Sequence, residues 1–310
     1  MSSPRGETHD AGTGKSDVDA PSSSPGVTTA DVGGRCGDDD RVLRRPHFEL
    51  RGDALFFLAS TRPFARLAAR EVAIWNASSA GPSVTELRER WPGESDAVVE
   101  RLVQLGVCEV ARAPSRTPRR RIVVIEPHSD DAVLSVGGTM WRRRESCEFL
   151  VVTVGSRSNF TSYYLLDRDF FDADAISKLR NAEAELVARM LGGKHLAVGQ
   201  REATLRYRDG DWTLDWFRRH RHSVSAFIAH GSSAAELTAW ARSIAAVLRD
   251  NGGDEVWIPI GVGPHTDHEL TRNACVAALL EEPTLTSGRT IRFYQEVPYA
   301  SRFRGFSERI

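Results

Sequence analysis

A chain of 310 residues has room for one large core and a smaller additional domain. Its 41 basic and 42 acidic side chains leave a net charge of −1, so no global field draws it to nucleic acid or to an anionic membrane. The start at Met1 lacks the apolar stretch of a signal peptide, eighteen apolar residues never run together, and Cys36, Cys108, Cys147 and Cys275 form no Cys-x-x-Cys pair. A cytoplasmic protein is expected, with no membrane partner, thiolate metal knuckle or disulfide framework.

Residues 1–45 are rich in Gly, Ser, Asp, Thr and Pro and poor in aliphatic side chains, which predicts a disordered leader. From residue 46 to 113 the texture changes. Ala54 to Leu58 reads as a strand, Ala65 to Trp75 has helical spacing, and Ser83 opens a capped helix to Trp91. Ser95 to Leu105 places Val98, Val99, Leu102 and Leu105 on one helical face before Gly106, and Val107 to Ala111 reads as a strand. Strand, three helices and strand make a small winged-helix-like α+β domain, which resembles the PqqD-like modules attached to peptide-modifying enzymes. Residues 114–120 read as a basic, proline-containing linker.

Beyond it, apolar strands at Ile122 to Ile125, Phe149 to Val154 and Val256 to Ile260 alternate with helical stretches at Ala175 to Leu191 and Ala234 to Arg249. This is an α/β pattern that predicts a Rossmann-like, mainly parallel sheet flanked by helices over residues 121–310. Ligands of such sheets lie beyond the carboxyl ends of the strands. Two clusters of ionisable residues fall there: Pro127-His-Ser-Asp-Asp131 after one strand, and His265-Thr-Asp-His268 after another. The aromatic stretch from Ser156 to Asp174 is long for an α/β connection and reads as either a substrate wall or a flank loop.

A hydrolytic zinc ion takes a few histidine and carboxylate ligands and keeps a position open for water, whose pKa falls to about 7. His128, Asp131 and His268 can supply that set. Asp130 lies between the first two and suits a general base. His265 is placed to stabilise an oxyanion or protonate a leaving amine as an imidazolium, with Asp267 orienting it and keeping it charged.

These motifs resemble the two signatures of the PIG-L, or LmbE-like, zinc-dependent N-deacetylases. Val136-Gly-Gly138, Arg180-Asn-Ala-Glu183 and Leu191-Gly192 extend the likeness in the same order over residues 121–310. The resemblance implies metal positions at His128, Asp131 and His268, a base at Asp130, an electrophilic residue at His265 and a substrate contact at Arg180. It also implies hydrolysis of an amide on a small, often sugar-bearing molecule, in secondary metabolism among other settings. Ser129 stands where proline is common in the family, Ala132 where an acidic residue often follows, and Gly263 where some relatives carry tyrosine.

The expectation is therefore an enzyme that removes an N-acetyl or other N-acyl group from an amino-sugar-like or natural-product metabolite, using Zn2+ or another divalent metal. The alternative is an amidase whose small domain receives a peptide or carrier protein by strand addition. A ligand-sensing DNA-binding regulator is the third reading, opposed by the neutral charge and the intact Asp130. Arg142 to Arg144, Arg218 to His222, Trp212, Trp216 and Trp257 are not assigned to the site.

Overall fold

The computed structural model describes residues 37–58, 60–113, 119–160, 173–206, 232–263 and 265–297. The aromatic residues Tyr163, Tyr164, Phe170 and Phe171 of the stretch read as a substrate wall or a flank loop, together with Trp212, Trp216 and Arg218 to His222, lie outside them. Cys36–Ile310 forms one compact unit that holds separate hydrophobic cores.

The amino-terminal part begins with β1 (Arg41–Arg44), inside the stretch read as leader. Val42 and Leu43 are buried there, because β1 pairs antiparallel with β5 (Cys108–Ala111). A second antiparallel sheet contains β2 (Phe48–Arg51), β3 (Ala54–Phe57) and β4 (Pro63–Arg66), in the order β2-β3-β4. The helices are α1 (Ala69–Ala77), α2 (Val84–Arg90) and α3 (Ser95–Gln104).

The first helix therefore starts four residues later than its apolar spacing suggested. Arg66 instead closes the β3–β4 hairpin by donating to Asp53 at 2.7 Å. The α2 start matches its capping signature: Ser83 Oγ accepts from Glu86 N at 3.1 Å, and Ser83 N donates to Glu86 Oε2 at 2.7 Å. Leu55, Ile74, Trp75, Leu87 and Leu102 are among the residues that fill this small core.

The large sheet contains β6 (Arg120–Glu126), β7 (Cys147–Thr153), β8 (Lys194–Ala197), β9 (Glu255–Pro259) and β10 (Thr290–Tyr294). Its order is β10-β9-β6-β7-β8, and every pairing is parallel. The helices are α4 (Asp131–Arg143), α5 (Ala173–Met190), the short α6 (Ala203–Arg206), α7 (Ala234–Asn251) and α8 (Thr266–Glu281).

Strand side chains alternate between faces. Val123 and Ile125 pack with Trp240, Ile244 and Leu248 of α7 and Leu270 and Ala274 of α8. Ile122 and Val124 pack with Met140 of α4 and Ala188 of α5. Trp257 belongs to this second layer, 6.0 Å ring to ring from Phe149, so it serves the core. The predicted sheet, flanked by helices on both faces, is thus the observed one.

The chain runs from β6 outward to β7 and β8, then returns to β9 on the other side of β6. The carboxyl ends of β6 and β9 therefore border a reversal of strand order, where α/β sheets open a crevice. No helix among the described residues is long and apolar enough to cross a membrane.

Candidate active site

Both motifs converge at that crevice. β6 ends at Glu126, and Pro127 turns the chain so that His128 and Asp131 follow directly, with Asp131 at the first position of α4. Gly155, beyond β7, packs against this turn and donates its N–H to Pro127 O at 2.9 Å. A Cβ at Gly155 would stand 2.9 Å from the same oxygen, so a side chain there would push the turn away. β9 leads to His265, the N-cap of α8, with Asp267 and His268 in the first turn.

His128, Asp131, Asp267 and His268 are buried. One ring nitrogen from each of His128, His265 and His268 lies within 4.8 Å of the others. Asp131 Oδ2 is 3.1 Å from His128 Nδ1 and 3.4 Å from His268 Nε2. The outer nitrogens face carboxylates: His128 Nε2 stands 3.1 Å from Asp267 Oδ2, and His268 Nδ1 stands 3.1 Å from Glu296 Oε1. Imidazoles backed by carboxylates, with a third carboxylate between their inner nitrogens, are the donor set that divalent transition metals take. These residues fit a metal.

Asp267 has partners besides His265. Its carboxylate serves His128 and Arg206, whose Nη1 is 2.6 Å from Oδ1, while Ala203 N donates to Oδ2 at 2.8 Å. Toward His265 its backbone N–H donates to Nδ1 at 3.2 Å. The cause is position: His265 caps α8 from outside, whereas Asp267 points from the first turn into the interior.

The electrostatics agree. Burial, with His128 beside it, pushes His265 down to about 3, which favours the neutral ring, while Asp267 acts in the other direction. Burial also works against a charged His128, but Glu202, Asp131 and Asp267 raise it well above its ordinary value. Asp131 is held below the usual carboxylate range by His268 and His128, although burial opposes this.

Asp130 is the exposed member, with a side chain 60 % accessible at the N-cap of α4. Arg180 Nη2 reaches its Oδ1 at 3.3 Å, while Arg180 Nη1 donates to Glu202 Oε1 at 2.8 Å. Arg180 therefore holds the candidate base, a role beyond the expected substrate contact. His128, Asp130, Asp131, Arg180, His265, Asp267 and His268 all belong to this one cluster.

Sequence reasoning missed four supporting residues: Glu126, Glu202, Arg206 and Glu296. Glu126 accepts from Ala132 N at 2.8 Å and from Thr153 Oγ1 at 2.6 Å, and burial raises it to about 8. Its only sequence signal was a carboxylate ending an otherwise apolar strand.

Residues 123–279, half of the chain, match the family described as PIG-L, GlcNAc-PI de-N-acetylase. The chain belongs to the PIG-L family. Among the relatives of this PIG-L member is the 2'-N-acetylparomamine deacetylase of Streptomyces fradiae, 30% identical over 200 residues. That match covers 63% of this chain and 64% of the relative, so the chain spans less than two thirds of the relative's length.

Among solved structures, a deacetylase of the teicoplanin biosynthesis pathway is 22% identical with a TM-score of 0.42, covering 58% of this chain and 68% of its own. The N,N'-diacetylchitobiose deacetylase from Pyrococcus horikoshii is 19% identical with a TM-score of 0.36, covering 56% and 60%.

Proposed function

We propose that this PIG-L protein is a metal-dependent N-deacetylase of a small N-acetylated amino sugar or a related natural-product metabolite. The observation that carries the reading is the pairing of an accessible carboxylate, Asp130, with the buried donors His128, Asp131 and His268 at the switch point of the sheet. The Streptomyces fradiae relative, by its name a deacetylase of 2'-N-acetylparomamine, supports an aminoglycoside-like substrate.

His128, Asp131 and His268 would hold the metal, with Zn2+ the expected ion. Bound there, it supplies a Lewis acid that lowers the pKa of water and polarises the amide carbonyl. Asp130 takes a proton from the attacking water while Arg180 fixes its carboxylate. The water oxygen bonds to the carbonyl carbon, the C–N bond breaks, and the proton held by Asp130 passes to the departing amine. Acetate and a free amine leave.

His265 works in its neutral form. Its Nδ1 accepts the Asp267 N–H, so the ring proton resides on Nε2, which can donate to the carbonyl oxygen as negative charge develops. Incubation with 2'-N-acetylparomamine and N-acetylglucosamine tests the reading. Acetate and primary amine released in equal amounts are expected, and Asp130→Asn should lower the rate by about 10²–10⁴-fold. Failure to release amine from any N-acetyl amino sugar by metal-loaded protein would refute it.

A second reading adds a peptide or carrier protein that pairs with the small domain. It is supported by the β2-β3-β4 sheet, in which β2 and β4 each pair only with β3 among the described residues, and by Phe64, 52% exposed on β4. Phe64→Glu should then depress deacylation of a carrier-bound substrate and spare a free one. Equal rates on both would remove this reading.

A further inference from the structure

We propose that the cleft between the small domain and the carboxyl end of α5 binds the phosphate group of a small molecule, organised by Arg119. The cleft measures about 790 Å³ and borders the amino ends of the large sheet, where Arg119 precedes β6 and Lys194 starts β8. The metal-site cluster lies at the opposite, carboxyl edge. The cleft is therefore a separate site, and this inference does not depend on the deacetylase reading.

Five cationic residues line it: Arg41, Arg112, Arg119, Arg189 and Lys194. Two carboxylates, Glu148 and Glu185, face them, and Glu145 pairs with Arg112 at 3.5 Å, leaving an excess of two positive charges. Glu148 and Glu185 are already engaged. Glu185 accepts from Arg189 Nε at 2.6 Å and from His195 N at 3.2 Å, while Glu148 accepts from Arg121 Nη2 at 3.3 Å and stands 3.9 Å from Lys194 Nζ. Arg41 spends one donor on Gly81 O at 2.8 Å.

Arg119 is the group left unsatisfied. Its Nε and Nη1 are covered from solvent and have no hydrogen-bond partner among the described residues. A guanidinium cannot escape that cost by losing its proton, so buried N–H donors of this kind call for an acceptor. Surrounded by further cations, the acceptor that also offsets the charge is an anion. The Nε–H and Nη1–H groups point in different directions, so no single carboxylate meets both; a phosphate, whose several oxygens can be shared among neighbouring cations, suits the cationic cleft better.

The backbone makes room for this arrangement. Gly192, just past α5, has φ +71°, and a Cβ on it would stand 3.3 Å from Arg119 Nη1. Gly81, with φ +66°, would place a Cβ 3.0 Å from Arg189 Nη1. Glycine at both positions lets two guanidinium groups approach the walls of one cleft. Arg119, which the deacetylase chemistry does not use, gains a role in this way.

The test is titration of the full chain with inorganic phosphate, followed by calorimetry and thermal unfolding, beside sodium chloride at matched ionic strength. Wild type should show saturable binding and a Tm rise on the order of a few degrees that chloride does not reproduce. Arg119→Gln should bind phosphate at least about tenfold more weakly, and Arg119→Lys, which keeps the charge without the planar set of N–H donors, should fall between. Absence of saturable binding, an equal effect of chloride, or unchanged affinity in Arg119→Gln would overturn the proposal. Should Arg119→Gln fail to fold, Lys194→Met serves, because its side chain is 74% exposed. A severalfold loss of phosphate affinity there supports the site, and unchanged affinity refutes it.

Discussion

Glu296 Oε1 stands 3.1 Å from His268 Nδ1, with neither side chain exposed to solvent. Glu296 thereby places the proton of His268 on Nδ1 and directs Nε2 toward Asp131. A partner of this kind fixes the ring and raises its basicity, and its loss typically costs about 10–100-fold in metal affinity. Glu296→Ala should therefore lower zinc affinity by that factor in chelator competition, and Glu296→Gln by less. Unchanged affinity in Glu296→Ala would show that His268 needs no such support.

Arg206 supports the other histidine at one remove. Its guanidinium, 8% exposed, joins Asp267 at 2.6 Å and Glu236 at 2.6 Å. Arg206→Met leaves the Asp267 carboxylate buried without its guanidinium partner, with only His128 and Ala203 N in reach. Breaking such a pair from one side costs about 3–5 kcal/mol, to be read from denaturant midpoints. A loss below about 1 kcal/mol would mean that His128 and Ala203 N satisfy Asp267 unaided.

Metal uptake should depend on pH with a defined sign. His128, raised well above its ordinary value by Glu202, Asp131 and Asp267 against the effect of burial, carries a proton in the metal-free protein at neutral pH. A ligand nitrogen must shed that proton, so binding should release about one proton, and affinity should fall about tenfold per pH unit of acidification. Calorimetry in buffers of different ionisation enthalpy measures the release. Affinity that is flat between pH 6 and 8 would contradict the assignment.

Glu126 makes a second pH-dependent contribution. Burial raises it to about 8 in the folded chain, against an ordinary 4.5, so between these values the folded state holds a proton that the unfolded state has lost. Stability of the metal-free protein should thus fall as pH rises through that window and level off above it, by an amount on the order of 5 kcal/mol. Glu126→Gln, which stays neutral, should flatten this dependence. Equal slopes in the two proteins would exclude Glu126 as the source.

What could be read in the sequence is what repeats locally. The apolar runs of β6 and β9 and the dense His/Asp motifs behind them announce themselves within a few residues. The capping residues of α2 do the same. β10 was invisible because Thr290 to Tyr294 alternates weakly at the edge of the sheet, and α6 is a single turn. Glu296 reaches His268 across 28 residues, and Arg206 reaches Asp267 across 61, so neither pairing leaves a local trace. Asp267 touches the adjacent His265 through its backbone N–H, but its carboxylate also serves His128 and Arg206, which lie far from it in sequence.

In the proposed reaction His128, Asp131 and His268 hold a metal while Asp130 handles the proton. Metal content by mass spectrometry and amine release from 2'-N-acetylparomamine, measured together on wild type, Asp130→Asn and His268→Ala, test it most directly. One equivalent of metal and turnover are expected in wild type, full metal with turnover lowered by about 10²–10⁴-fold in Asp130→Asn, and loss of both in His268→Ala. Full metal retention by His268→Ala, or wild-type turnover by Asp130→Asn, would contradict it.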